Sequence, residues 1–131
     1  MAAGYQLLEH LGATTNSHLY CAQRMDSGKP AMLKLFDPAN ASAVTPARFR
    51  DEYALLQSLD IAGLIQPATL IDEGENLTMT LDALDDFAGE SLESVLGGGV
   101  RMDLPICLDI AGQLAQILAG VHAARIIHRD I

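Results

Sequence analysis

The sequence predicts an α+β chain, and three observations lead to that class. Turn-forming residues divide the first third into strand-length runs, from Thr45 the apolar residues recur at helical spacing, and beyond residue 84 a long apolar helix dominates. The predicted order is three strands, one helix, two strands and then helices.

Residues 5–11, 18–24 and 31–36 read as strands, with Asp26-Ser27-Gly28-Lys29-Pro30 as the hairpin turn between the second and third. Residues 39–47, rich in small residues, read as a loop. Thr45 is the expected N-cap of the following helix, Pro46 occupies its first position, and Phe49, Tyr53 and Leu56 mark its apolar side to about Leu59. Residues 65–71 and 77–84 read as two further strands around the turn Asp72-Glu73-Gly74-Glu75-Asn76. The acidic stretch 85–91 is a connector. A short helix over 92–96 runs into Gly97-Gly98-Gly99, a flexible joint, and Asp103 then caps a helix to about Ala124. Its apolar positions cover much of its circumference, which predicts burial.

Composition narrows the function. A chain of 131 residues, 50% of them hydrophobic, is large enough for one core, and its formal net charge of −9 opposes binding to nucleic acid or an anionic membrane. Cys21 and Cys107 have no paired-ligand spacing, so they predict neither a disulfide framework nor a zinc site, and a reducing cytoplasm is expected. No secretory signal is expected, because Met1-Ala2-Ala3-Gly4 leads directly into strand-like sequence. The segment 104–127 is interrupted by Asp109, Gln113, Gln116, His122 and Arg125, which favours a soluble helix over a membrane span.

Lys34 sits within the apolar strand Met32-Leu33-Lys34-Leu35-Phe36, on the face of Met32 and Phe36. By itself it also reads as a protective lysine on an edge strand. Glu52 falls on the apolar arc of the first helix, where a carboxylate needs a cation. Arg48, one turn earlier, offers a local pair in the weaker base-before-acid order. A strand lysine and a helix glutamate, each costly to bury alone, predict a Lys34–Glu52 pair.

These residues resemble a known family. Ala31-Met32-Leu33-Lys34 is similar to the lysine strand of protein kinases, Phe49-Arg50-Asp51-Glu52-Tyr53 to the helix that carries its glutamate partner, and Val121-His122-Ala123-Ala124-Arg125-Ile126-Ile127-His128-Arg129-Asp130-Ile131 to the long helix running into the catalytic loop. The chain thus resembles the front of a eukaryotic-type Ser/Thr protein kinase, of the kind that heads some bacterial multi-domain sensors. The resemblance implies a small lobe over 1–84, with a five-stranded antiparallel sheet and one helix, a hinge over 85–91, and the first helices of a large lobe over 92–131. It implies ATP and magnesium as cofactors and a protein substrate. Lys34 would hold the nucleotide phosphates, Glu52 the lysine, and Asp130 the attacking hydroxyl, while His128 would be a scaffold and Arg129 would mark a protein kinase over small-molecule kinases.

Leu11, Leu19 and Met32 would wall the adenine, with Leu84 at the gatekeeper position, Asp85 and Phe87 in the hinge, and Glu90 or Ser91 near the ribose. The hinge stretch reads equally as a solvated acidic linker. Between the first two strands, where kinases place three glycines, the chain keeps Gly12 and has Thr14 and Ser17 at the other two positions. That segment also reads as a plain hairpin turn, and the loss of glycines as the mark of a pseudokinase-like interaction module. The magnesium ligands are expected beyond residue 131, so residues 1–131 alone are expected to be inactive. The exposed apolar helix is expected to drive self-association through residues 104–121.

Overall fold

The computed structural model describes residues 3–14, 16–40, 45–81, 91–99 and 101–127. Five strands, β1 (Tyr5–Ala13), β2 (Ser17–Arg24), β3 (Pro30–Phe36), β4 (Thr69–Glu73) and β5 (Asn76–Thr80), make one antiparallel sheet in the order β1-β2-β3-β5-β4. Between β3 and β4 run a 3₁₀ turn (Pro38–Asn40) and helix α1 (Pro46–Ser58), and α2 (Leu92–Gly97) and α3 (Leu104–Ala123) follow β5. Contacts divide the chain into two units, one of Met1–Ser58 with Ile65–Asp86 and one of Leu59–Leu64 with Phe87–Ile131.

The first unit is a sheet with apolar clusters on both faces. Tyr5, Ala22, Ala31 and Leu33 pack together on one face, joined by Leu7, Leu35 and Ile71. Phe36, Phe49, Leu77 and Met79 pack on the other, joined by Tyr53 and Leu70. The alternation of β3 explains the division, since Leu33 and Leu35 point to one side while Met32, Lys34 and Phe36 point to the other. Helix α1 lies on the second face through Phe49, which is fully buried and meets the Phe36 ring edge-on at 5.5 Å between centroids.

Two hairpins turn as the sequence predicts. Gly28 (φ +69°) closes the β2–β3 turn, its N–H bonding the Arg24 carbonyl at 2.8 Å. Gly74 (φ +80°) opens the two-residue turn between the paired residues Glu73 and Asn76, a place for a left-handed residue. Thr45 caps α1, its Oγ1 accepting the Arg48 N–H at 3.4 Å.

Other boundaries move. β1 continues to Ala13, through bulges that insert Leu8 and Leu11 opposite β2. The strand predicted over 65–71 begins only at Thr69: Pro67 has no N–H to give a ladder, and the carbonyls of Pro67 and Ala68 are taken by Gln57 Nε2 at 2.9 and 3.3 Å. β5 ends at Thr80, and residues 82–84 of its predicted extent lie outside the described residues. Asp103 stands at the N-cap of α3 but its side chain makes no capping bond.

In the second unit, residues 59–64 pack on α3. A Cβ built at Gly120 would lie 2.9 Å from Ile61 Cγ2, and one at Gly63 (φ +87°) only 2.7 Å from Ile117 Cδ1, so these two glycines permit the close approach. Helix α3 ends with Arg125 in the left-handed region (φ +63°), where Arg125 N–H bonds the His122 carbonyl and Ile126 N–H that of Val121. Within these residues α3 shows the exposed apolar surface expected of it: Val121 is buried, but Leu104, Ile106, Leu108 and Leu114 are exposed. Residues 59–64 cover one stripe of a helix that is apolar around most of its circumference. By length and composition this helix is also sufficient to cross a membrane.

Candidate nucleotide site

Lys34 stands in the middle of β3, opposite Leu19 of β2 on one side and Met79 of β5 on the other. Flanked on both sides, it is not an edge-strand lysine. Its Nζ donates to Glu52 Oε1 of α1 at 2.5 Å and lies 5.8 Å from the centroid of the Phe49 ring. The Lys34 side chain is 22% exposed and that of Glu52 37%, so the cation is partly shielded while its partner remains in touch with water. It is Lys34 whose ammonium bonds the Glu52 carboxylate.

A second ion pair fixes the same helix. Arg50 grips Asp72 of β4 through two bonds, Nε to Oδ2 at 2.6 Å and Nη2 to Oδ1 at 2.9 Å, and Nη2 also donates to the Gly74 carbonyl at 3.1 Å. Hydrogen bonding from Arg50 holds the Asp72 carboxyl below the usual carboxylate range. Helix α1 is thus tied to the centre of the sheet by Glu52 and to its edge by Arg50, with Phe49 packed between. Sequence reasoning missed Arg50–Asp72, since nothing in the spacing of two exposed charges shows that β4 returns beside α1.

Gly12 pairs with Leu19, and Met32 with Cys21, so Gly12, Leu19, Met32 and Lys34 share one face of neighbouring strands. Met32 is buried and Leu19 half-buried, whereas Leu11 sits in the β1 bulge and is exposed. The turn beyond Gly12 is closed by side chains. Thr14 and Ser17 join their hydroxyls at 2.6 Å, Thr14 N–H bonds the Ser17 carbonyl at 2.8 Å, and the Thr14 hydroxyl donates to Asn16 Oδ1 at 3.1 Å. The two residues that stand where glycines were expected therefore bond to one another. Ser17 is buried, which makes its hydroxyl part of the structure.

The remaining predicted residues divide between two places. Ser91 belongs to the second unit, where its Oγ caps α2 by accepting the Ser94 N–H at 3.1 Å. Leu84, Asp85, Phe87, Glu90, His128, Arg129 and Asp130 lie outside the described residues. Among the described residues no group of three or more His, Cys, Asp or Glu is placed to hold a metal ion. Cys21 and Cys107 are free thiols.

A cationic strand lysine, steadied by a helix carboxylate on the face that Gly12, Leu19 and Met32 share, fits a polyphosphate nucleotide. The comparisons agree. The chain is 27% identical over 128 residues, 97% of its own length, to the serine/threonine-protein kinase pkn2 of Myxococcus xanthus, and it spans only 15% of that protein's length. The family model described as the protein kinase domain matches residues 5–131. With the sheet, the helix and the lysine–glutamate pair in place, the chain belongs to the protein kinase family.

Proposed function

We propose that this chain is the ATP-binding portion of a bacterial serine/threonine protein kinase, acting in cytoplasmic signal transduction on a protein hydroxyl. The observation that carries this reading is the 2.5 Å contact between Lys34 Nζ and Glu52 Oε1. Serine/threonine specificity is supported by the likeness to the Myxococcus kinase.

In this reading Lys34 presents its ammonium to the nucleotide phosphates, and Glu52 holds it extended in one orientation, so little side-chain entropy remains to be lost on binding. Leu11, Leu19, Met32 and Leu84 enclose the base, Asp85 and Phe87 offer backbone groups to its edge, and Gly12 lets the chain approach the phosphates. By resemblance to the family, Ser91 is assigned to the ribose and Asp130 to the attacking hydroxyl. Bound ATP supplies the phosphoryl group that is transferred. Magnesium requires carboxylate or amide oxygens, and these are proposed to follow Asp130 in the sequence. Residues 1–131 alone then bind nucleotide without transferring phosphate.

Kinase assays on the full-length protein, with and without Lys34→Met, test the reading. Loss of about 100-fold or more in phosphotransfer is expected, the scale on which one preorganised charge contact counts. Unchanged transfer would sink it. The Thr14–Ser17 latch favours a second reading, a non-catalytic interaction module whose roof no longer needs glycines. Absence of ATP binding to the full-length protein would select that alternative.

Helix α3 leaves Leu104, Ile106 and Leu108 exposed, and we propose that chains of residues 1–131 self-associate through 104–121. Asp109 within that helix supports a protein-facing role over a lipid-facing one. Sedimentation showing a monomer at high concentration would count against it.

A further inference from the structure

The sheet face opposite Lys34 carries a cluster that the nucleotide site does not use. His10 of β1 and His18 of β2 turn their rings together, with His10 Nε2 3.2 Å from His18 Nδ1. The bulge at Leu11 brings this about, because His10 pairs with Tyr20 while Gly12 pairs with Leu19 and Ala13 with His18. The Tyr20 ring supports the His10 ring at 4.9 Å between centroids. On its far side His18 Nε2 lies 3.3 Å from Asp37 Oδ2, and Asp37 Oδ1 accepts the Ala39 N–H at 2.9 Å, so the carboxylate is itself held in place.

A carboxylate can only accept a hydrogen bond. His18 therefore carries its proton on Nε2, and its Nδ1 lone pair faces His10. We propose that His10 Nε2 and His18 Nδ1 form a two-nitrogen site for a borderline divalent transition metal such as zinc, with Asp37 orienting the ligating imidazole. A carboxylate on the outer nitrogen of a ligating histidine is the arrangement that raises ligand basicity and fixes the ring. Two imidazoles at the usual zinc–nitrogen bond length and a tetrahedral angle stand about 3.3 Å apart. The observed separation is 3.2 Å, so coordination requires the two rings to rotate off the line of their hydrogen bond but not to move apart.

Without metal, His10 donates its Nε2 proton to His18. On coordination that proton passes to water and Nδ1 of the exposed ring takes one up, so a neutral imidazole exchanges tautomers with no net proton change. Two nitrogens leave the other positions to water, and the ion stays exchangeable. Occupancy would link β1 to β2 behind the turn that holds Thr14 and Ser17.

Calorimetric titration of zinc chloride into the 131-residue chain tests the site. One zinc per chain is expected, with affinity reduced at least tenfold in His10→Asn and in His18→Asn, and unchanged in His122→Asn. Asp37→Asn should weaken binding by about tenfold. Circular dichroism checks that each variant is folded. Should one fail to fold, the ring resonances of wild-type His10 and His18 must both shift on zinc addition. Equal zinc binding by wild type and His10→Asn, no saturable binding at millimolar zinc, or shifts confined to His122, would overturn the proposal.

Discussion

Lys34 on β3 and Glu52 on α1, eighteen residues apart in sequence, meet in a 2.5 Å ion pair that joins helix to sheet. Each side chain satisfies the charge of the other at a surface where Phe49 and Met79 exclude water nearby. Coupling between the two should be about 1 kcal/mol, the upper range for pairs still in touch with solvent. A double-mutant cycle of Lys34→Met and Glu52→Gln, read by urea unfolding, measures it. Strict additivity of the two substitutions would show that the contact does not hold α1 to the sheet.

The Arg50–Asp72 pair makes a pH-dependent contribution. Arg50 lowers the Asp72 pKa in the folded chain, so the stabilisation is present above the unfolded carboxylate's titration and is lost as pH falls through the folded value. Asp72→Asn should therefore lower Tm at neutral pH and reduce its fall below about pH 4. Melting curves of both proteins across that range provide the check, and parallel Tm profiles would contradict it.

The roof turn depends on its hydroxyls. Ser17→Ala leaves the Thr14 hydroxyl without the partner it meets at 2.6 Å, and should cost about 1 kcal/mol. Hydrogen exchange should quicken at the Thr14 amide, which bonds the Ser17 carbonyl. Unchanged exchange there would mean the backbone closes the turn unaided.

Gly63→Ala should destabilise the chain by about 1–3 kcal/mol, since the new methyl meets the Ile117 side chain in a backbone conformation unsuited to alanine. Gly74→Ala, at φ +80° but in open space, separates the two causes, because it carries the backbone strain alone. Equal losses in the two variants, by chemical unfolding, would exclude the contact with Ile117.

The sequence was most informative where local chemistry and periodicity agree. The strand–helix order, Thr45 as the cap of α1, and the glycine-bearing turns at Gly28 and Gly74 all follow from short-range preferences of the backbone. Lys34 and Glu52 were legible as a pair because each is costly to bury alone, a condition readable from the apolar residues around each. Periodicity marks α3 as a helix suited to burial, but not what covers it: Val121 is buried while Leu104, Ile106 and Leu108 are exposed.

Only the tertiary structure decided which charges and rings meet. Arg50 reaches Asp72, Thr14 bonds Ser17 where glycines were expected, and a single inserted residue, Leu11, turns His10 toward His18. Register is the physical reason. A one-residue bulge or a late strand start redistributes side chains between the faces of a sheet, and it depends on pairing between distant segments that no local pattern records.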